Sequence, residues 1–206
     1  MTLFPQNVQL VVPALGARGY LEGDSIDASV PLVWTAPRVL SAEACRALID
    51  RIEAEGPTRA PITTARGFVM APEIRNNTRV ILDDHALAAE LWSKVEPLVP
   101  PAMCAGRVAC GVNERFRCYR YQPGERFAPH YDGAYNRDER EGSRLTFMVY
   151  LNEGFEGGET AFLDFGVSVR PTTGMALFFQ HVLLHEGCLL IRGTKYALRS
   201  DIMFRR

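Results

Sequence analysis

The chain has 206 residues, 47% of them hydrophobic and 23% charged, with a formal net charge of -1. That length supports one domain with a sizeable core, and the balance excludes a disordered or fibrous chain. A near-neutral chain carries no overall field for nucleic acid or an anionic membrane, so neither is expected as a partner.

Residues 1–16, MTLFPQNVQLVVPALG, lack a basic leader, and Gln and Asn interrupt the apolar run, so they do not read as a signal peptide. No stretch approaches the ~18 continuous apolar residues of a membrane span, and a cytoplasmic location is the default. Ser41 opens SAEACRALIDRIEAEG, whose Leu40, Ala44, Ala47, Leu48 and Ile52 fall near helical spacing; Ser41 caps it and Gly56-Pro57 ends it. The segment from Pro57 to Asn77 reads as loop or short strand. DDHALAAELWSKVEPLV predicts a second helix, capped by Asp83 or Asp84, with Leu87, Leu91, Val95 and Leu98 on one stripe.

From Asn113 the character changes. Short apolar runs (ERFRCYRY, RLTFMVYL, TAFLDF, VSVR, MALFFQ, CLLIR, KYALRSDIMF) are separated by glycine-containing turns. Strands so spaced predict a mainly β (α+β) fold, a sandwich or jelly roll. The expected organisation is a single domain over 1–206, with a helical and mixed support region at 1–112 and a β core at 113–206. The last run alternates strictly. Tyr196, Leu198, Ile202 and Phe204 share one face; Lys195, Arg199 and Asp201 share the other, facing either solvent or a polar lumen.

The five cysteines are odd in number and none has C-x-x-C spacing, which argues against a disulfide framework and a structural zinc site. The chemistry-bearing residues are His130 and Asp132 in PHYD and His185 in LLHEG. On a strand, His-x-Asp projects both side chains to one face. A His from a neighbouring strand then completes two imidazoles and one carboxylate, a facial triad that leaves positions open on a ferrous ion. Ten residues after His185 stands Lys195, one of only two lysines beside 21 arginines. Buried, it would need a counter-charge, which a dicarboxylic cosubstrate supplies; exposed, it needs none.

The ordered set Tyr121-Gln-Pro-Gly124-Glu-Arg-Phe127-Ala-Pro-His130-Tyr-Asp132, Tyr150-Leu-Asn152, Gly157-Gly158-Glu159-Thr160, His185-Glu-Gly187 and Gly193-Thr-Lys195 resembles the Fe(II)/2-oxoglutarate dioxygenases of the prolyl 4-hydroxylase type. The likeness spans a little under half the chain. It implies a double-stranded β-helix, or jelly roll, buttressed by N-terminal helices. It also implies Fe(II), 2-oxoglutarate and O2, with ascorbate as a possible accessory. His130, Asp132 and His185 would bind iron; Lys195, helped by Thr160 and Tyr121, would hold the distal carboxylate of 2-oxoglutarate. Tyr119 is a weaker candidate on the same strand face. The implied activity is hydroxylation of an unactivated C–H bond in an amino acid, peptide or protein residue. The related halogenases lack the carboxylate ligand, and Asp132 is present here. Arg199, Arg120 and Arg144 are candidate substrate contacts. His181 reads as a supporting or loop residue, His85 as surface, and the charged loop 133–142 as solvated or as a lid. Two other readings use the same jelly roll: a non-catalytic 2-oxoglutarate or metal sensor, and a cupin-type metalloenzyme.

Overall fold

The computed structural model describes residues 8–15, 26–64 and 67–206. The opening segment read against a signal peptide falls partly outside them, at 1–7 and 16. Ser41 holds extended backbone and its Oγ accepts from the Ala44 amide at 3.1 Å, so the helix Ala42–Ala54 starts where the cap predicts. Asp84 caps His85–Val95 in the same way, accepting from the Leu87 amide at 2.9 Å. This helix is shorter than its apolar stripe. Pro97 has no N–H to continue it, and Glu96–Leu98 closes as a 3-10 turn. Neither helix is long and apolar enough to cross a membrane.

A ten-stranded sheet carries the fold. Its order is Gln9–Val12, Val33–Ala36, Ala176–Gln180, Glu141–Tyr150, Lys195–Arg205, Arg115–Tyr121, Thr78–Asp83 and Thr58–Arg59; Arg107–Val112 pairs with the far half of Lys195–Arg205, and Ala102–Met103 with Arg107–Val112. A four-stranded sheet, Phe127–His130, His185–Gly187, Thr160–Phe162 and Val167–Val169, covers it. The two helices pack on one face of the large sheet, burying Leu48, Ile52, Leu91 and Val95 against Trp34, Phe147 and Phe178. Trp34 stacks on Phe178 at 5.2 Å, and its indole N–H donates to the Leu98 carbonyl at 2.9 Å. On the other face Met148, Tyr150, Leu177 and Phe179 meet Phe162 of the small sheet. Two sheets face to face over a shared core form the expected jelly roll.

The N-terminal region does more than the helical support expected of it. Val33–Ala36 pairs with Ala176–Gln180, and Thr78–Asp83 pairs with Arg115–Tyr121, so residues before 113 extend the main sheet on both sides. The run TAFLDF is strand only to Phe162; Leu163–Phe165 turns as a 3-10 helix ended by Gly166 at φ +61.

Period-two alternation decides what the closing strand Lys195–Arg205 shows to each side. Leu198 and Ile202 enter the helix-side core, whereas Lys195, Arg199 and Asp201 are 2%, 5% and 1% exposed. The polar stripe therefore faces a lumen between the sheets rather than water, and that lumen holds the site.

Candidate active site

His130 ends the strand Phe127–His130 and lies opposite His185, the first residue of its antiparallel partner. Asp132 is not on the strand, which corrects the picture of His-x-Asp on one β face. Pairing stops where the partner strand begins, and Asp132 is returned to the site by its amide, which donates to the His181 carbonyl at 3.1 Å. One ligand atom from each of the three residues lies within 4.8 Å of the others. His130 Nε2 is 3.9 Å from Asp132 Oδ1, and His185 Nε2 is 3.7 Å from Asp132 Oδ2.

Protonation follows from the partners. Nδ1 of His130 lies 2.8 Å from the Ala128 carbonyl, and Nδ1 of His185 lies 2.9 Å from that of Leu183. A carbonyl only accepts, so each Nδ1 carries the hydrogen and each Nε2 lone pair is free. Burial, reinforced by His185, lowers the His130 pKa to about 4, and burial also lowers that of His185. Burial opposes ionisation of Asp132, but the Arg199 guanidinium and the imidazoles outweigh it and hold the carboxyl well below its usual range. Two neutral imidazoles and a carboxylate are the form that takes a divalent cation.

A buried network orients Asp132. Thr146 Oγ1 donates to Asp132 Oδ2 at 2.5 Å. With its proton so used, Thr146 accepts from His181 Nδ1 at 2.9 Å, and Ser143 Oγ donates to His181 Nε2 at 2.8 Å. Arg199 Nη2 lies 3.2 Å from Asp132 Oδ2 and 3.0 Å from Asp201 Oδ1. Arg199, a candidate substrate contact, thus stands between two acids and holds the carboxylate.

Burial lowers the His181 pKa to about 4 as well. An unfolded histidine titrates near 6.5, so unfolding takes up protons below that pH. Stability is full above pH ~6.5 and falls as pH drops toward 4, at up to roughly 2.7 kcal/mol per pH unit for two such groups. Urea unfolding of the metal-free protein is expected to show about 4 kcal/mol less stability at pH 5 than at pH 7.5, about half of it from each of His130 and His181, and His181→Asn to reduce that slope. Equal stability at both pH values would contradict the buried neutral imidazoles.

Across the lumen Lys195 pairs in register with Tyr121. Its ammonium donates to the Gly158 carbonyl at 2.6 Å and lies 5.0 Å and 5.4 Å from the centroids of the Tyr121 and Tyr150 rings. Among the described residues no carboxylate lies at ion-pair distance, and burial lowers its pKa to about 8. Thr160 Oγ1 stands beside it, 2.6 Å from the Tyr150 hydroxyl. The turn that presents the Gly158 carbonyl requires glycine. Gly157 has φ +76, and a Cβ there would stand 2.3 Å from the Leu189 carbonyl oxygen. Tyr119, Tyr121, Thr160, Lys195, His130 and His185 line a narrow cavity of about 30 Å³. On the other side of Asp132 a cavity of about 930 Å³ opens past His181 and Arg144.

The donor set fits ferrous iron, with nitrogen and oxygen ligands and open positions. The buried ammonium without a counter-charge fits the far carboxylate of a keto-diacid; admitting one requires Lys195 to leave the Gly158 carbonyl and the narrow cavity to widen.

Arg120 is a correction. Its neighbours Tyr119 and Tyr121 face the lumen, so alternation turns Arg120 outward, where it pairs with Glu53 at 2.9 Å. Arg144 lines the larger cavity, and His85 is exposed. The loop after Asp132 is mostly solvent-facing and tied down by its own charges: Arg137 pairs with Glu114 and Glu141, and Asp138 accepts the amides of Arg140 and Glu141. Sequence reasoning missed Thr146 and Ser143, and placed Asp201 on the polar face without giving it a role. Alternation on Glu141–Tyr150, which puts Thr146 on the face of Met148 and Tyr150, was the available signal. Arg75 left none. It is buried over the rings of Tyr119 and Phe127 at 4.6 Å and 4.3 Å, and Phe127 stacks on His130 at 3.5 Å.

Residues 116–200 match the model of the 2OG-Fe(II) oxygenase superfamily. Prolyl 4-hydroxylase 13 of Arabidopsis thaliana is 26% identical over 198 residues, covering 81% of this chain and 69% of its own length. Prolyl 4-hydroxylase 1 of the same plant is also 26% identical, over 187 residues, covering 77% and 64%. Among solved structures, the viral collagen prolyl hydroxylase of Paramecium Bursaria Chlorella virus-1, in its 2OG complex, superposes with a TM-score of 0.62 at 22% identity, covering 84% of this chain and 96% of that one. A Pseudomonas putida prolyl-4-hydroxylase gives 0.58 at 23%, covering 84% and 92%. Family match, fold and donor set agree: residues 116–200 carry a 2OG-Fe(II) oxygenase domain, and the chain is similar to prolyl 4-hydroxylases.

Proposed function

We propose that His130, Asp132 and His185 hold the ferrous ion, that Lys195 holds the distal carboxylate of 2-oxoglutarate, and that the reaction hydroxylates a prolyl residue or proline itself. The observation that carries this reading is the pairing of three convergent ligand atoms with a buried, uncompensated ammonium in one lumen. The prolyl substrate class is supported by the names of the relatives.

Iron with 2-oxoglutarate and O2 supplies an oxidant strong enough to take hydrogen from an unactivated C–H bond, leaving succinate and CO2. The chain's own residues do the rest. The Ala128 and Leu183 carbonyls aim the two Nε2 lone pairs. Thr146 and Arg199 engage Asp132 Oδ2 and so hold the carboxylate in the orientation in which it would bind the metal. Lys195 and Thr160 fix the cosubstrate's far end, and the packed sheets exclude water. The test is succinate release from 2-oxoglutarate with Fe(II) in air, with and without ascorbate, across a panel of free proline and prolyl peptides. Fe(II)-dependent succinate is expected, increased by at least one member of the panel. Absence of Fe(II)-dependent succinate under all conditions would end this reading.

A further inference from the structure

The cavity of about 930 Å³ is bounded by Asp132 and His181 on one side and by the segment 103–107 on the other. Its volume is at the upper end of small-ligand sites, about 300–1,000 Å³, and suits an amino acid or a short peptide segment. Among the described lining residues Arg144 and Arg206 are basic and Asp132 is the single acid. That acid is already engaged by Arg199 and Thr146.

Arg144 is the telling residue. It is half-buried, and its Nη1 donates to the Ser143 carbonyl at 2.6 Å, which fixes the guanidinium against the wall. Among the described residues no carboxylate pairs with it, in a molecule where Arg115, Arg120, Arg137, Arg199 and Arg205 all have acid partners. Its backbone carbonyl accepts the His181 amide, and the His181 carbonyl accepts the Asp132 amide, so two hydrogen bonds tie this wall to the ligand loop. A pinned cation without an acid partner among the described residues, facing a cavity that reaches Asp132 of the ligand set, selects its own counter-charge from whatever enters. Planar guanidinium matches carboxylate in particular.

We propose that the primary substrate carries a carboxylate close to the carbon that is oxidised, and that Arg144 binds it. This rests on the reading given under Proposed function and names the substrate class within it. The shared chemistry has three sources: a free amino acid, the C-terminus of a peptide, or an acidic side chain flanking the target residue.

Matched pairs separate them. L-proline is compared with L-prolinamide, a short peptide ending in proline with its C-terminal amide, and an amidated peptide with Asp beside proline with its Asn counterpart. Succinate release is read for the wild type, Arg144→Gln and Arg144→Lys. In addition, the pairs are titrated calorimetrically into protein holding Zn(II), which has no redox chemistry, and 2-oxoglutarate. A charge-assisted contact of this kind predicts a preference of about 10- to 100-fold for the acid in at least one pair, seen in KM and in affinity. Arg144→Gln brings that ratio near one, while Arg144→Lys keeps most of it, which separates charge recognition from misfolding. Equal use of acid and amide forms, stimulation by neither, or an unchanged ratio in Arg144→Gln overturns the proposal. Uncoupled succinate formation by the wild type without any primary substrate reports on the oxygenase reading separately, so the two fail by different observations.

Discussion

Alanine at His130, Asp132 or His185 abolishes succinate formation, with an expected fall on the order of 10³-fold or more. Each change deletes one of three donors that lie within 4.8 Å of one another, and the others cannot close the gap. The three variants differ in stability, which serves as an internal check. Asp132→Ala also strips Arg199 of one of its two acids in a buried setting, and a broken buried pair costs about 3–5 kcal/mol. Asp132→Asn is the gentler probe: it keeps an oxygen for the Thr146 hydroxyl while removing the charge. His130 lies at the cavity edge, so His130→Ala costs less stability than His185→Ala, whose ring sits between Phe162 and Phe179. Calorimetric titration of Fe(II) under anaerobic conditions should lose its high-affinity phase in all three. Any of them turning over 2-oxoglutarate at the wild-type rate would remove that residue from the ligand set.

Lys195→Met weakens 2-oxoglutarate binding by about 100- to 1,000-fold, the equivalent of about 3–4 kcal/mol for losing one partner of a buried ion pair. The same substitution stabilises the protein without cosubstrate. Burial lowers the Lys195 pKa from an ordinary 10.5 to about 8, so the folded state disfavours the ammonium. Between those values the unfolded chain binds more protons, and stability rises with pH from about 8 to 10.5; at neutral pH the buried charge is a cost, on the order of 1–3 kcal/mol, that methionine removes. The expected result is therefore a raised melting temperature together with lost 2-oxoglutarate affinity. The sign also sets a pH dependence for the wild type: once the ammonium deprotonates, above pH ~8, its attraction for the carboxylate is gone and the KM for 2-oxoglutarate rises. A cupin-type enzyme that ignores 2-oxoglutarate would be indifferent to the substitution, and unchanged cosubstrate affinity in Lys195→Met would favour it.

Local rules carried far along this chain. Ser41 and the Asp83-Asp84 pair marked both helix starts, because a cap is an interaction over three residues and needs no distant partner. Alternation along 195–204 separated Lys195, Arg199 and Asp201 from Leu198 and Ile202 before any fold was known. The spacing His130-x-Asp132 with a distant His185 and a rare lysine was readable as chemistry for the same reason: residue type and period are properties of the chain itself.

What needed the tertiary structure is whatever depends on a partner far away in sequence. Two faces of the closing strand look alike until the small sheet covers one, and only that cover turns a polar stripe from surface into lumen. Asp132 reaches its place through the His181 carbonyl and the Thr146 hydroxyl, contacts 49 and 14 positions away that no local pattern encodes. Arg120 and Arg144 read alike as candidates. Alternation beside Tyr119 and Tyr121 sent the first outward to Glu53, and the cavity wall kept the second facing the site. Residue identity and period are written into the chain, but burial and counter-charge are properties of the space between elements, and that space exists only after folding.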